Sequence, residues 1–516
     1  MGQLSLLIFI PLAGAAALHF IKDARQAKIF TLGVSLVAFV LSLVLYFQFD
    51  RNAAGFQFQE KLSWISSKTI AISYFLGVDG MSMLLILLTT FLMVIALIGT
   101  WNATDKKVPG LMALLLLLEA GMIGVFCSLD LFLFYIFWEL ILIPMYFIIG
   151  IWGGERRIYA AVKFFIYTLA GSLFMLVAII WLGIEASKVT GVFTTDFTSL
   201  QAASAKLSLD VQQYLFWAFA ISFAIKVPLF PFHTWLPDAH VEAPTIGSVI
   251  LAGVLLKMGT YGMIRFNLGL FPQASIDNAS IMCVLAVIGI IYGALVAMVQ
   301  TDIKKLIAYS SVTHMGFIVL GIFSMTREGL QGAVIQMVNH GLSTGMLFMM
   351  FGMMYERTHT RAIKDYGGVA KITPHFAVFF AIAMLSSVGL PGLNGFVGEY
   401  LTLMGAFQST VLHNWAYAIF SCTGVILAAV YLLWMYQRFM MGPVTNEHSR
   451  GLKDLSKREI ASLVPLVIFM VWIGIQPMGF MKLSEKGMNA QSDSLLGAKA
   501  GQTNGYQIIQ QKILIK

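Results

Sequence analysis

Residues 222–245 read SFAIKVPLFPFHTWLPDAHVEAPT. The run opens apolar enough for a bilayer interior, yet it carries Lys226 and then Pro228, Pro231, Pro237 and Pro244. A helix facing lipid has no use for either feature. Proline removes a backbone donor and clashes with the preceding turn. In hydrocarbon, the groups so freed must be satisfied by protein or by water. The stretch therefore reads as a helix broken inside a larger bundle, with a charge at the break.

The rest of the chain fits that setting. Of 516 residues, 59% are hydrophobic and 11% charged, and mean hydropathy is +0.83; a soluble domain carries about 25% charged residues. Apolar blocks recur at about 20 residues, the length that crosses a ~30 Å hydrocarbon core. Met1–Phe20 lacks the basic start and cleavage site of a secretory signal and reads as a first span. Cys127, Cys283 and Cys422 each sit alone in an apolar run. That excludes a CxxC, an iron–sulfur spacing and a disulfide framework. The net charge of +8 flanks spans instead of forming a patch, so no nucleic acid is expected.

Fourteen spans are predicted, at 4–20, 29–47, 76–100, 109–128, 130–151, 160–185, 211–232, 244–268, 278–299, 305–323, 330–354, 376–404, 414–438 and 459–480. With the N-terminus outside, the inward loops hold Arg156/Arg157, Lys304/Lys305 and Lys453/Lys457/Arg458. The outward ones hold only scattered basic residues such as Arg51, Lys61, Lys188 and Arg265. The asymmetry places both termini outside, in the periplasm of a bacterial plasma (inner) membrane. The polar stretches 48–75 and 186–210 are outer loops, and no role is assigned to the tail ending YQIIQQKILIK, beyond a possible place on the surface.

A second stretch, SSVGLPGLNGFVGEY at 386–400, also interrupts an apolar segment with Pro391 and three glycines. It lies in span 12, five spans after the first break. Paired interrupted helices in corresponding halves mark an inverted-repeat transporter and point at its pathway. The chain thus reads as one all-α integral membrane domain, 1–516. Residues 75–108 flank span 3, 109–268 form a first repeat (spans 4–8) and 276–440 a second (spans 9–13), and 459–516 hold the last span and tail. P-loop, dinucleotide-binding and HExxH patterns are all missing.

Five charges lie deep in these spans. Glu139 follows Asp130 by nine residues, about 13.5 Å into span 5. Lys226 stands just before the first proline, Lys257 deep in span 8, Glu399 after the break in span 12, and Glu119 in span 4. A charge at the bilayer centre costs about 2.5–3.5 kcal/mol on insertion scales, so each needs a partner or a wet cavity. Bland readings exist: a static Glu139–Lys226 pair, a snorkelling Lys257, a Glu399 that caps freed backbone, a structural Glu119. The chemistry these residues suit is proton handling. Burial disfavours the charged form of lysine and carboxylate alike, and an opposite charge nearby restores it. A lysine whose carboxylate partner approaches or withdraws therefore holds or releases a proton, with no metal or nucleotide. His314 in span 10 and His340 in span 11 extend the series, and His233 and His240 flank the first break. Imidazole accepts on one nitrogen while donating on the other, although a buried histidine also serves as a plain strut.

These residues resemble a known family. FLGVDGMSM (75–83), FWELILIPMYFIIGIWGG (137–154), KVPLFPFHTWLPDAHVEAPT (226–245), LLKMGTYGMIRF (255–266), DIKKLIAYSSVTHMGF (302–317) and GLPGLNGFVGEY (389–400) look like the antiporter-like membrane-arm subunits of respiratory complex I, the proton-pumping NADH:quinone oxidoreductase. The superfamily also includes subunits of multisubunit sodium/proton antiporters and membrane-bound hydrogenases. Most relatives carry lysine in span 12. The branch called chain M in bacteria and subunit 4 in mitochondria carries glutamate there, as this chain does at Glu399.

The resemblance implies that Glu139 partners Lys226, that Lys226 holds the proton of an input half-channel, that Lys257 links the halves with His314 and His340 beside it, and that Glu399 hands the proton outward. It carries no role onto Glu119, and Asp79 in the GVDG turn is expected to be structural. It also implies that NADH, FMN, iron–sulfur clusters and quinone sit in other subunits, with neighbouring antiporter-like subunits and the lipid bilayer as partners. An antiporter or hydrogenase subunit, and a scaffold whose buried charges only hold helices together, are the alternative expectations.

Overall fold

The computed structural model describes residues 2–444 and 450–514, with side chains through Lys499. The bundle is built almost wholly of helices, as expected. Among the described residues, eleven helical segments are long and apolar enough to cross a membrane, from Gln3–Phe20 and Ala24–Gln48 to Ala416–Met440 and Lys457–Ile475. Three further segments complete the fourteen spans. Span 7 stops early at Lys226. Span 11, Arg327–Thr358, is diluted by Gln336, Asn339, His340, Ser343 and Thr344. Span 12 is divided into Pro374–Val388 and Asn394–Gln408.

Both predicted breaks are present. Span 7 runs as a helix over Leu209–Lys226, turns through 227–234, and resumes at Trp235–Glu242. Span 12 turns through 389–393, where Gly389 and Gly392 adopt φ of +83° and +93°, a region that side chains with a Cβ avoid. Span 8, Thr245–Leu268, was expected to be regular. It instead contains two π-helical stretches, Leu251–Leu255 and Met263–Leu268, on either side of Lys257. Such bulges shift the backbone register and gather at functional positions. Span 5 is irregular at Ile141, where Pro144 cannot donate to the carbonyl four residues earlier; Glu139 sits beside that irregularity.

Three expectations need correction. The outer stretch 48–75 is not a plain loop. It carries an antiparallel hairpin, β1 (Gln57–Ser66) and β2 (Ile70–Val78), which is joined in parallel by β3 (Phe193–Thr194). Span 3 consequently begins at Gly80 and not at 76, because residues 76–78 finish β2 and Asp79 caps the helix by accepting from Ser82 N–H at 2.9 Å. The chain after span 14 forms one long helix, Met478–Leu514. Arg327 holds it through Asp493 at 2.7 Å, and the hydroxyl of Ser492 donates to the Met325 carbonyl at 2.9 Å. The side chains of YQIIQQKILIK, for which a surface position was expected, lie outside the described residues.

The centre of the bundle sits around spans 3, 8, 10 and 11, whose side chains are almost all withdrawn from the surface. Spans 2, 6, 9 and 13 present rows of exposed apolar residues instead. Spans 8, 10 and 11 are the ones that carry Lys257, His314 and His340.

Candidate functional site

Four of the expected residues meet in one buried chain. Lys257 and His340, both almost fully shielded, approach at 2.7 Å from Nζ to Nδ1. Lys257 Nζ also donates to the carbonyl of Ala252, in the π-helical stretch just before it. The rings of His340 and His314 follow at 5.7 Å between centroids. His314 Nδ1 then stands 2.9 Å from Glu399 Oε1. Spans 8, 11, 10 and 12 each contribute one member. Among the described residues, the Nε2 atoms of both histidines have no hydrogen-bond partner.

Neutral polar groups position the outer end of this chain. Gln336 Nε2 donates to Glu399 Oε1 at 3.3 Å, and Asn339 Nδ2 donates to the Asn394 carbonyl at 2.7 Å, where the second half of span 12 begins. The break thus places Glu399 opposite His314 and is itself anchored to span 11. Tyr431 of span 13 lies buried within electrostatic reach of Glu399. Sequence reasoning did not single out Gln336, Asn339 or Tyr431. Polar residues one turn before and directly before a buried histidine, as in IQMVNHG, were the available signal for the first two.

Glu139 and Lys226 occupy a separate chamber. Lys226 is 1% exposed, and its Nζ has no hydrogen-bond partner. It lies over the ring of Trp138 at 5.1 Å and near that of Phe164 at 5.9 Å, contacts that favour a cation without neutralising it. Glu139 lies within its electrostatic reach, beside Ser172 and Tyr135. Among the described residues, no ion pair within 4.0 Å joins the two. The static pair offered as a bland reading is therefore not formed in this conformation. Spans 7 and 8 touch beside this chamber. A Cβ on Gly259, two residues past Lys257, would lie 2.8 Å from the carbonyl of Phe223, one turn before Lys226.

The remaining candidates divide. His240 is fully buried and stacks on Phe348 at 4.5 Å, with neither ring nitrogen bonded. It lies within electrostatic reach of Lys257, His340 and Lys304, so it faces the bundle centre and not only the mouth of the break. Lys304, taken above for a loop charge, donates to the Ala243 carbonyl at 2.6 Å. It lines a cavity of about 250 Å³ with Lys28, Glu242, Glu356 and Arg361. His233 meets the rings of Phe230 and Tyr292 at 5.8 and 5.1 Å and is not joined to the central chain. Glu119 accepts from Ser35 Oγ at 2.7 Å between spans 2 and 4 and is likewise apart. Asp79 pairs with Arg265 of span 8 at 2.7 Å while capping span 3, in keeping with a structural part. Among the described residues, no group of three or more His, Cys, Asp or Glu could hold a metal ion.

An array of buried lysine, histidine and carboxylate across two broken helices defines an antiporter-like transmembrane protein. Residues 128–427 match the family described as NADH:quinone oxidoreductase/Mrp antiporter, TM, and the chain belongs to it. Its relatives include NADH-quinone oxidoreductase subunit M of Rickettsia bellii, 44% identical over 93% of this chain and 96% of the relative. They also include NADH-ubiquinone oxidoreductase chain 4 of Arabidopsis thaliana, 42% identical over 93% and 94%. The expected likeness to the chain M and subunit 4 branch is borne out at that level. In three dimensions the chain is similar to a chain of respiratory complex I from Thermus thermophilus with bound NADH. The TM-score is 0.85 and the identity 30%, over 95% of this chain and 99% of the other.

Proposed function

We propose that the chain is a proton-translocating membrane-arm subunit of an NADH:quinone oxidoreductase. The reading rests on one observation above all: the buried series Lys257, His340, His314, Glu399, formed in a chain that matches relatives of that name over nearly their whole length. Lys226 collects a proton from the basic end of the bundle while Glu139 stands near it. When Glu139 is drawn closer, Lys226 holds the proton; when Glu139 withdraws, the desolvated ammonium gives it up toward Lys257. His240 lies between Lys304 and Lys257 and offers the central lysine a second approach from the same end. From Lys257 the proton passes through His340 and His314, a ring separation that one water bridges, and Glu399 delivers it to the opposite side.

Redox chemistry belongs to other subunits, where NADH, FMN, iron–sulfur clusters and quinone bind. Neighbouring antiporter-like subunits supply the driving change. Moving one charge against 100 mV requires about 2.3 kcal/mol, which sets the push each cycle must deliver. The complex sits in a bacterial inner membrane, with the basic end in the cytoplasm and both termini in the periplasm.

The test is Glu139→Gln and Lys226→Ala in the assembled complex, with NADH-driven proton uptake and electron transfer measured side by side in inverted vesicles. Both variants should assemble and lose most of the coupled pumping. Wild-type values in both would sink the relay.

A further inference from the structure

Span 13, Ala416–Met440, ends at the basic end of the bundle with Arg438. Among the described residues, its Nε and Nη2 are shielded from solvent and make no hydrogen bond. The guanidinium lies flat on Trp434 one turn earlier, 3.8 Å from the ring centre. Two buried, unpartnered donors on a permanent cation leave a large desolvation cost uncompensated. An anion with two oxygens able to accept parallel N–H groups is the natural complement.

The surroundings favour a phosphate. Arg438 lines a cavity of about 490 Å³ with Thr301, Lys364 and Tyr366, and among the described residues no carboxylate lines it. The nearby acids are engaged elsewhere. Asp302 faces Arg361 at 3.4 Å, and Asp365 accepts from the Thr360 hydroxyl at 2.5 Å. The cavity therefore offers two cations and a hydroxyl at one end of the bundle.

Below it runs an apolar surface from two neighbouring helices. Span 13 exposes Ile426, Val430, Leu433 and Trp434, and span 9, Pro272–Met298, exposes Tyr292 and Leu295, followed by Val299 just before Thr301. Trp and Tyr favour the depth of the lipid headgroups. A cationic pocket capping an apolar strip matches a molecule with a phosphate head and acyl tails. A soluble anion would use only the pocket.

We propose that Thr301, Lys364 and Arg438 form a binding site for one anionic phospholipid, with its phosphate on Arg438 and its tails along spans 9 and 13. The lipid gives the Arg438 guanidinium an anionic partner and seals the edge of the bundle beside the Asp302–Arg361 pair.

The experiment uses the assembled complex in mild detergent, delipidated and then exposed to vesicles of phosphatidylglycerol or of phosphatidylcholine, with retained lipid quantified by native mass spectrometry. Wild type should retain phosphatidylglycerol over phosphatidylcholine, and Arg438→Gln should lower that retention about tenfold, the scale of a lost charge-assisted contact. Lys364→Gln, on an exposed loop, should lower it by a smaller factor and serves if the first variant does not assemble. An inorganic phosphate arm separates the sources: competition by millimolar phosphate that abolishes retention would overturn the tail contribution. Equal retention in wild type and both variants would overturn the site. So would a map of the complex with a carboxylate of a neighbouring subunit seated on Arg438.

Discussion

Lys257 Nζ stands 2.7 Å from His340 Nδ1, and neither side chain reaches solvent. Two basic groups at that distance cannot both be charged without repulsion in a medium of low polarity. In the proposed relay the pair shares one proton, and a second arriving at Lys257 displaces the first toward His314; on that reading this step joins the two halves of the bundle.

His340→Gln keeps a hydrogen-bond acceptor for Lys257 and removes the ring that passes a proton on. The complex should assemble and pump at less than about a tenth of the wild-type rate, given that a positioned proton carrier contributes ~10²–10⁴-fold. His340→Ala should do the same with a further loss of stability. Quenching of a pH-sensitive dye in inverted vesicles, alongside NADH oxidation, checks both.

Glu399→Asp shortens the carboxylate by one methylene and pulls it away from the 2.9 Å contact with His314. It should retain partial pumping. Glu399→Gln preserves the length but cannot take up a proton and should retain almost none. The opposite order of the two variants would show that Glu399 acts only by filling space.

The Asp79–Arg265 pair should behave differently from the relay. Arg265 meets Asp79 at 2.7 Å and lies over Phe56 and Tyr261 at 4.8 and 5.2 Å, so it ties the outer hairpin region to spans 3 and 8. Arg265→Ala leaves a buried carboxylate without its counter-charge, a loss of about 3–5 kcal/mol. The yield of assembled complex on native gels and its thermal midpoint should fall. Asp79→Asn in the same chain should recover part of both.

Acid should loosen the outer hairpin before it reaches the bundle. Burial works to raise the Asp196 carboxyl, but hydrogen bonds from Lys61 at 2.6 Å, Thr198 Oγ at 2.6 Å and Ser199 N–H at 2.9 Å outweigh it and hold the group below its ordinary range. A carboxyl depressed in the folded state stabilises above its unfolded pKa, about 3.9, and that stability is lost as pH falls through the lower folded value. Protection of residues 57–78 against hydrogen exchange, relative to the free-chain rate at the same pH, should therefore fall below about pH 4. Asp196→Asn should exchange faster at neutral pH and show a flatter acid response.

Much of the molecule was legible in the residues. Blocks of about 20 apolar residues dictate spans because the hydrocarbon thickness is fixed. Prolines and glycines within them dictate breaks because backbone donors and φ angles are lost or freed locally. A lysine or glutamate at mid-span announces a functional interior because its cost is intrinsic. Each of these is a property of the chain read within one helix turn. The hairpin at 57–78 was missed because its alternation is weak, and its register is set by the pairing Ser63↔Ser73 and its neighbours. The π-helical stretches around Lys257 were missed because residue type does not mark them; the first packs against spans 3 and 11 and the second against spans 7 and 9.

The sequence by itself determined the class of fold, the two proline breaks in spans 7 and 12, and the burial of the mid-span charges Lys226, Lys257 and Glu399, since all three follow from transfer free energy and backbone chemistry. Only the tertiary structure decided which of those groups meet. It joined Lys257, His340, His314 and Glu399, left Lys226 over aromatic rings at a distance from Glu139, and turned Asp79 toward Arg265. The reason is that contact between residues more than eighty positions apart depends on how spans cross and rotate. That is set by the packing of many side chains together, and no local stretch of the chain contains it.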